Sequence, residues 1–424
     1  MLQFTSRIGE AQDMFASFRS LKGTYPRQFW LLFWGLLIST IGSSMIWPFL
    51  MVYVSEKLKL PMTQVASLMT INAVVGIICS FLVGPVVDRI GRKWVMIISL
   101  AGTAVYFLLM SRATTLLSFS LLMALNGFFS PLYRIGADAM MADLIPAERR
   151  IDGYSMLRMS NNVGVALGPA IGGFIAASSY TLAFYIAAAG MLAYCALMVF
   201  GAQETLPKQD SSIPVEKERF AGYDRVLRDR RFIFFVIGMI FNQMCAALIW
   251  VLLAVYAKQN FQLPESAYGW IPTTNAVMVV LFQVLVTRFT KRYAPLKMLA
   301  LGSFFYAVAT FSVAFGHGFW GFWLSMVIMT IGELILVPTS STYTANLAPA
   351  EMRGRYMSIY GLTWGVASGA GPIFGGFLND NFGPRTIWYG GGLVGMVSMA
   401  AFMALTRIFP HSAPAAQPDE VQQV

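Results

Sequence analysis

Glu333 is the residue most clearly placed to do chemistry. It stands in IMTIGELILVP, about 14 residues from either end of a long apolar run, with no basic residue near it in sequence. At about 1.5 Å per helical residue, that position lies near the middle of a bilayer. Burial disfavours the charged form of a carboxyl, so an acid held there without a cationic partner can take up and release a proton. Ionisable groups inside membrane spans are costly and stand by default as functional candidates. The plainer alternative is an acid that stays protonated and hydrogen-bonded to a neighbouring helix.

A second group is Arg134, Asp138 and Arg158. Arg134 and Asp138 are one turn apart in one apolar run, and Arg158 is one turn into the next, beside Asn161 and Asn162. The two runs read as antiparallel neighbours with Asp138 and Arg158 at similar depth. A network of the three is therefore expected, either neutralising buried charge or passing protons. No nucleophile and base pair or metal-ligand cluster emerges, and His317 and His411 fall in a short loop and a polar tail. The glycine-rich stretches are followed by no Walker lysine, which excludes ATP as a driver. No enzyme activity, metal or cofactor is expected.

The elements that carry these residues are set by composition. Of 424 residues 57% are hydrophobic and only 12% charged, against roughly a quarter charged in soluble proteins. The chain reads as an all-α integral membrane protein with the lipid bilayer as its solvent. A net charge of +10 would suit nucleic acid only if clustered on a folded surface; here it falls between apolar runs, so no nucleic-acid partner is expected. Cys79, Cys195 and Cys245 all lie inside apolar runs, which argues against disulfides and zinc.

A span needs about 20 mainly apolar residues. That rule predicts helices near 29–54, 64–87, 94–111, 115–143, 153–177 and 181–201, then 232–258, 268–290, 296–316, 319–347, 355–379 and 385–409. Cytoplasmic loops hold the excess of Lys and Arg. With both termini inside, 24 of the 30 cations fall on the inner side and five outside, Lys57, Lys59, Arg112, Lys258 and Arg385, with Arg134 within a helix. The first 27 residues lack the apolar core and cleavage site of a secretory signal, so the first helix is expected to be retained.

An internal repeat divides the chain. PAERR from Pro146 aligns with PAEMR from Pro349, and GPAIGGF from Gly168 with GPIFGGF from Gly371, both at an offset of 203. Two six-helix halves follow, over 28–201 and 232–409. They are flanked by a cytoplasmic N-tail (1–27), a cytoplasmic linker (202–231) with an interfacial helix near Phe220 to Arg231, and a disordered C-tail (410–424).

Three motifs carry a resemblance. Gly84, Asp88, Arg89, Gly91, Arg92 and Lys93 form a tight basic turn, GPVVDRIGRK, between the second and third helices. It resembles the Gly-x-x-x-Asp-Arg-x-Gly-Arg-Lys loop of the major facilitator superfamily. The resemblance implies a charge latch of the outward-facing state, in which Asp88 and Arg92 pair with an acid at the cytoplasmic end of the fourth helix, here Asp143. Alternatively Arg89, Arg92 and Lys93 only set topology. The second half, around Arg288 to Arg292, has lost the pattern.

In the fifth helix Gly164, Gly168, Pro169, Gly172 and Gly173 make GVALGPAIGG, a smooth face for close packing with a proline that loosens the backbone ladder. It is similar to the superfamily's antiporter motif, although the earlier glycine of that motif falls on Ser155. Because GPxxGG recurs in helix eleven, packing at the interface between halves is the structural alternative. The superfamily's usual helix-four arginine would fall at Met123; Arg134 is a displaced candidate. In helix ten, Glu333 occupies a place where the drug-efflux branch carries an acid.

Candidate cavity residues are Trp47, Asn72, Asn126, Asn242, Gln243, Trp250, Asn275, Gln283, Tyr360 and Trp364. A large apolar pocket with few polar groups suits lipophilic ligands, and the 26 methionines would repack around different shapes. The resemblance, over residues 28 to 409, implies a twelve-helix drug:proton antiporter. It is expected to be a monomer in a bacterial plasma membrane that takes protons and a lipophilic or cationic small molecule. Uptake or facilitated transport of a metabolite is the alternative, with a non-transporting sensor and a membrane enzyme behind it.

Overall fold

The computed structural model describes residues 25–146, 149–206, 223–349 and 352–409. The first 24 residues, most of the linker, the second and third residues of each PAE repeat and the C-tail lie outside them. Twelve long helices account for nearly all of the described chain. They are α1 (Arg27–Leu58), α2 (Met62–Ile90), α3 (Arg92–Met110), α4 (Leu116–Leu144), α5 (Arg150–Ser178) and α6 (Tyr180–Gly201) in the first half. The second half holds α7 (Arg230–Phe261), α8 (Glu265–Thr290), α9 (Pro295–Val313), α10 (Gly318–Leu347), α11 (Arg353–Phe382) and α12 (Thr386–Ile408). Helices satisfy their own backbone groups, which hydrocarbon requires of any spanning segment.

Ten of the twelve are long and apolar enough to cross a membrane on composition alone. The exceptions, α5 and α11, are 29 and 30 residues long but dilute their apolar content with glycine, serine, asparagine and charged residues. Helix α1 is interrupted by a 3-10 turn at Trp47–Phe49. A six-residue helix, Tyr223–Arg228, precedes α7 and is the described part of the expected interfacial segment. All three cysteines are free.

The basic stretch after the second helix is not a ten-residue loop. Helix α2 runs on through Asp88 and Arg89 to Ile90, and α3 starts at Arg92. Gly91 alone makes the turn, with φ +99°, a conformation that L side chains rarely adopt. Asp88 and Arg92 thus stand close enough for an ion pair.

The described residues form two compact units, one within Met1–Trp47 and Val75–Ser212, the other within Pro48–Val74 and Ile213–Val424. Helices α1 and α2 each pass from one unit to the other along their length. The first unit is held by a seam between α1 and α5, where the Ser160 hydroxyl donates to the Phe33 carbonyl at 2.8 Å and Ser44 to that of Gly164 at 3.0 Å. The second has a core of Phe232, Phe235, Met239, Leu299, Leu336 and Phe402, all at most 1% exposed.

The duplication read from the sequence is repeated in the contacts. Gly168 faces Ile41 and Ser44 of α1, and Gly371 faces Met244 and Ala247 of α7. Gly172 faces Met45, and Gly375 faces Leu248. In every case the partner is displaced by the same 203 residues as the glycine. The glycine stripe of α5 therefore packs against α1 within one unit, which corrects the expected packing of that stripe between halves. Glycine is required there because helix backbones approach too closely for a side chain.

Candidate functional site

Glu333 lies on α10 facing α8. The Asn275 amide nitrogen donates to Glu333 Oε2 at 2.7 Å and to the Thr330 hydroxyl at 2.9 Å. Thr330 in turn donates to the Met326 carbonyl one turn back at 2.8 Å, which leaves its oxygen free to accept from Asn275. Asn275 is 4% exposed and Thr330 fully buried, so the amide that meets the half-buried Glu333 side chain is fixed in place. Gln283, two turns along α8, donates to the Leu334 carbonyl at 3.1 Å. Further along α10, the hydroxyl of Ser340 is 2.7 Å from that of Tyr360 on α11. A polar seam thus runs through the α8, α10 and α11 region of the second unit.

Of the expected cavity residues, Asn275, Gln283 and Tyr360 join this seam. Gln243 and Trp250 are half-buried on α7. Asn242 is different: it is fully buried, and neither amide atom has a hydrogen-bond partner among the described residues. It faces no open space in this structure, because the adjacent turns of α7 press Gly238 and Cys245 against α12. Trp364 is 38% and Trp47 36% exposed, and Asn72 and Asn126 are half-buried.

Arg134, Asp138 and Arg158 are all exposed in the isolated chain. No hydrogen bond or ion pair joins them among the described residues; Tyr154 instead donates to the Asp138 backbone carbonyl at 3.1 Å. Helical spacing placed them at similar depth, but depth does not fix the direction in which each side chain leaves its helix.

Five residues beyond Asp138 on α4, Asp143 joins the basic turn. Arg92 Nε donates to Asp143 Oδ2 at 3.0 Å, and Arg92 Nη2 lies 3.7 Å from Asp88 Oδ1. The Arg92 side chain is only 11% exposed, so its charge is held by these acids more than by water. No motif pointed to Glu204, just beyond α6. Its carboxylate accepts from the backbone N–H groups of Arg92 at 2.9 Å and Lys93 at 3.1 Å, which caps the N-terminus of α3. Carboxylates are favoured there because the first N–H groups of a helix have no partner within it. Thr205 adds a hydroxyl to Asp143 at 3.1 Å, and Lys93 Nζ donates to the Val199 carbonyl at 2.9 Å.

Loss of this cap is expected to be measurable. Glu204→Ala should cost about 1–2 kcal/mol, as helix caps do, lowering the melting midpoint of the detergent-solubilised protein by a few degrees. Gly84→Ala, whose added Cβ meets nothing within 4 Å, should instead raise the midpoint slightly, because alanine is favoured over glycine inside a helix.

Comparison with known proteins shows the family and the fold. The sequence pattern of the Major Facilitator Superfamily matches residues 32–244 and 235–423. The chain is 25% identical over 351 residues to Multidrug resistance protein 1 of Bacillus subtilis, covering 82% of this chain and 89% of that protein. It is 24% identical over 383 residues to a Na(+), Li(+), K(+)/H(+) antiporter of Planococcus maritimus, covering 82% and 87%. Among solved structures, the nucleoside transporter NupG aligns with a TM-score of 0.76 at 16% identity, covering 90% of this chain and 100% of that one.

Proposed function

Since this chain belongs to the Major Facilitator Superfamily, we propose that it is a secondary transporter exporting lipophilic or cationic small molecules in exchange for protons. The observation that carries the reading is the Asn275 to Glu333 hydrogen bond of 2.7 Å. The relatives named for multidrug resistance and for cation/proton exchange support it.

In the mechanism, two six-helix halves rock about a cavity and expose it to each side in turn. Glu333 is the proton carrier. Its carboxylate, as found here, accepts from the Asn275 amide and attracts a cationic or amphipathic substrate. Protonation from outside removes that charge, weakens substrate binding and permits return. The group Asp88, Arg92 and Asp143 acts as a cytoplasmic latch, with Glu204 holding the turn in place. The cation distribution supports cytoplasmic termini, and the bacterial relatives favour a plasma membrane.

An alkali-metal cation is the second reading of the cargo, favoured by the Planococcus relative. The test is accumulation of a fluorescent lipophilic cation in efflux-deficient cells, with and without a protonophore. Cells making the protein are expected to accumulate several-fold less than control cells, and the protonophore to erase the difference. Equal accumulation, with the protein present in the membrane, sinks the drug-export reading. Sodium- or potassium-driven proton release from inverted vesicles would then decide for the second.

A further inference from the structure

The carboxylate of Asp380, in the last turn of α11, sits on the N-terminus of α2. Met62 N–H donates to Oδ1 at 3.0 Å, and Thr63 N–H and its hydroxyl donate to Oδ2 at 2.8 and 2.6 Å. Asn379 braces the same carboxylate, donating to Oδ1 at 3.0 Å. One turn back along α11, a Cβ at Gly376 would stand 2.8 Å from the backbone N and Cα of Thr63. Two turns further, the Thr70 hydroxyl donates to the Gly369 carbonyl at 2.6 Å. Residues 369, 376 and 380 share one helical face, and that face holds the first three turns of α2.

The duplication separates what is shared from what is added. Gly371 and Gly375 repeat Gly168 and Gly172 and serve packing inside each half. Leu60-Pro61 at the start of α2 likewise repeats as Leu263-Pro264 at the start of α8. Asp380 has no such counterpart: 203 residues earlier stands Ala177. The acid is thus an addition to the second half, and its strong hydrogen bonds go to a helix whose sequence belongs to the first half. Residues 48–74 accordingly group with the second unit.

We propose that Asp380 is a releasable clamp on the end of the molecule that the charge distribution places outside. Engaged, it caps the N–H groups that begin α2 and keeps residues 62–73 on α11. Released, those N–H groups and the carboxylate take water, and the outer end of α2 leaves α11 so that the cavity opens outward. This rests on the alternating-access reading, but not on Glu333 or on the identity of the cargo.

The test uses the full chain in proteoliposomes with its three native cysteines replaced and Ala73→Cys as a reporter, since Ala73 lies against Gly369. Labelling by a membrane-impermeant maleimide from the outer side is expected to rise about tenfold in Asp380→Asn, the size associated with losing charge-assisted hydrogen bonds. Thr63→Ala, which removes only the hydroxyl donor, should give a smaller rise. Unchanged labelling in Asp380→Asn overturns the clamp. As a second arm, in which one sample serves as its own reference, Thr63→Cys with Asp380→Cys is oxidised to a disulfide. Transport should stop on oxidation and return on reduction, whereas full transport by the completely cross-linked protein also overturns the proposal. Failure to move the lipophilic cation at all, with labelling raised in Asp380→Asn, rejects the cargo assignment and keeps the clamp.

Discussion

Glu333→Gln is expected to abolish protonophore-sensitive export while leaving the protein folded. The glutamine side chain has the same shape, and its carbonyl oxygen can accept the hydrogen bond that Asn275 now gives to Glu333 Oε2. The polar seam is therefore kept, and the melting midpoint should not move. What is lost is the change of charge. One proton charge moving inward contributes about 2.3 kcal/mol per 100 mV, equivalent to roughly a fiftyfold gradient of a neutral substrate. Exchange of a monovalent cation for one proton moves no net charge, so only the pH gradient drives it. In either case the variant should fall to the accumulation of control cells. Movement of substrate down its own gradient should persist and lose its pH dependence. Retention of gradient-driven export by Glu333→Gln would remove Glu333 as the carrier.

The second large effect separates two glycines related by the repeat. A Cβ added at Gly172 would meet the Met45 backbone, with Cα at 2.6 Å and the carbonyl carbon at 2.8 Å, and its carbonyl oxygen closer still. Backbone inside a packed helix pair cannot step aside without moving the helix. At the equivalent Gly375, the nearest atoms are the ends of two leucine side chains, Leu248 Cδ2 at 2.5 Å and Leu252 Cδ1 at 2.6 Å. Those can change rotamer. Gly172→Ala is expected to cost about 3 kcal/mol or more and Gly375→Ala about 1 kcal/mol, the upper and lower ends of what overpacking costs. Thermal unfolding followed by size-exclusion chromatography should show Gly172→Ala lost at markedly lower temperature. Equal losses would mean that the two halves yield alike at these crossings.

Much of the molecule was legible because a membrane makes few demands and makes them strongly. Length and apolarity define spans. The offset of 203 foretold that helices are duplicated but not which residues meet; once Gly168 is seen on Ser44, the same offset puts Gly371 on Ala247. The resemblance of the basic turn to the superfamily's loop implied a cluster of Asp88, Arg92 and Asp143, and Arg92 is found beside both acids.

Facing was not legible. In a soluble helix the apolar stripe marks the buried side, but lipid is as apolar as a protein core, so a span that is apolar all round gives no such sign. Asn242, an expected cavity residue, is sealed inside the second unit, and no hydrogen bond or ion pair joins Arg134, Asp138 and Arg158 among the described residues. Glu204 and Asp380 act on helix ends 112 and 318 residues away in the chain, and their partners are backbone N–H groups, which no side-chain pattern reveals. Twelve spans, two related halves and an isolated acid at mid-depth follow from composition and spacing alone. That this acid rests on Asn275, and that Asp380 holds the start of α2, became visible only in three dimensions. Helix rotation and axial register are set by packing, and packing fixes which polar atoms come within about 3 Å of one another.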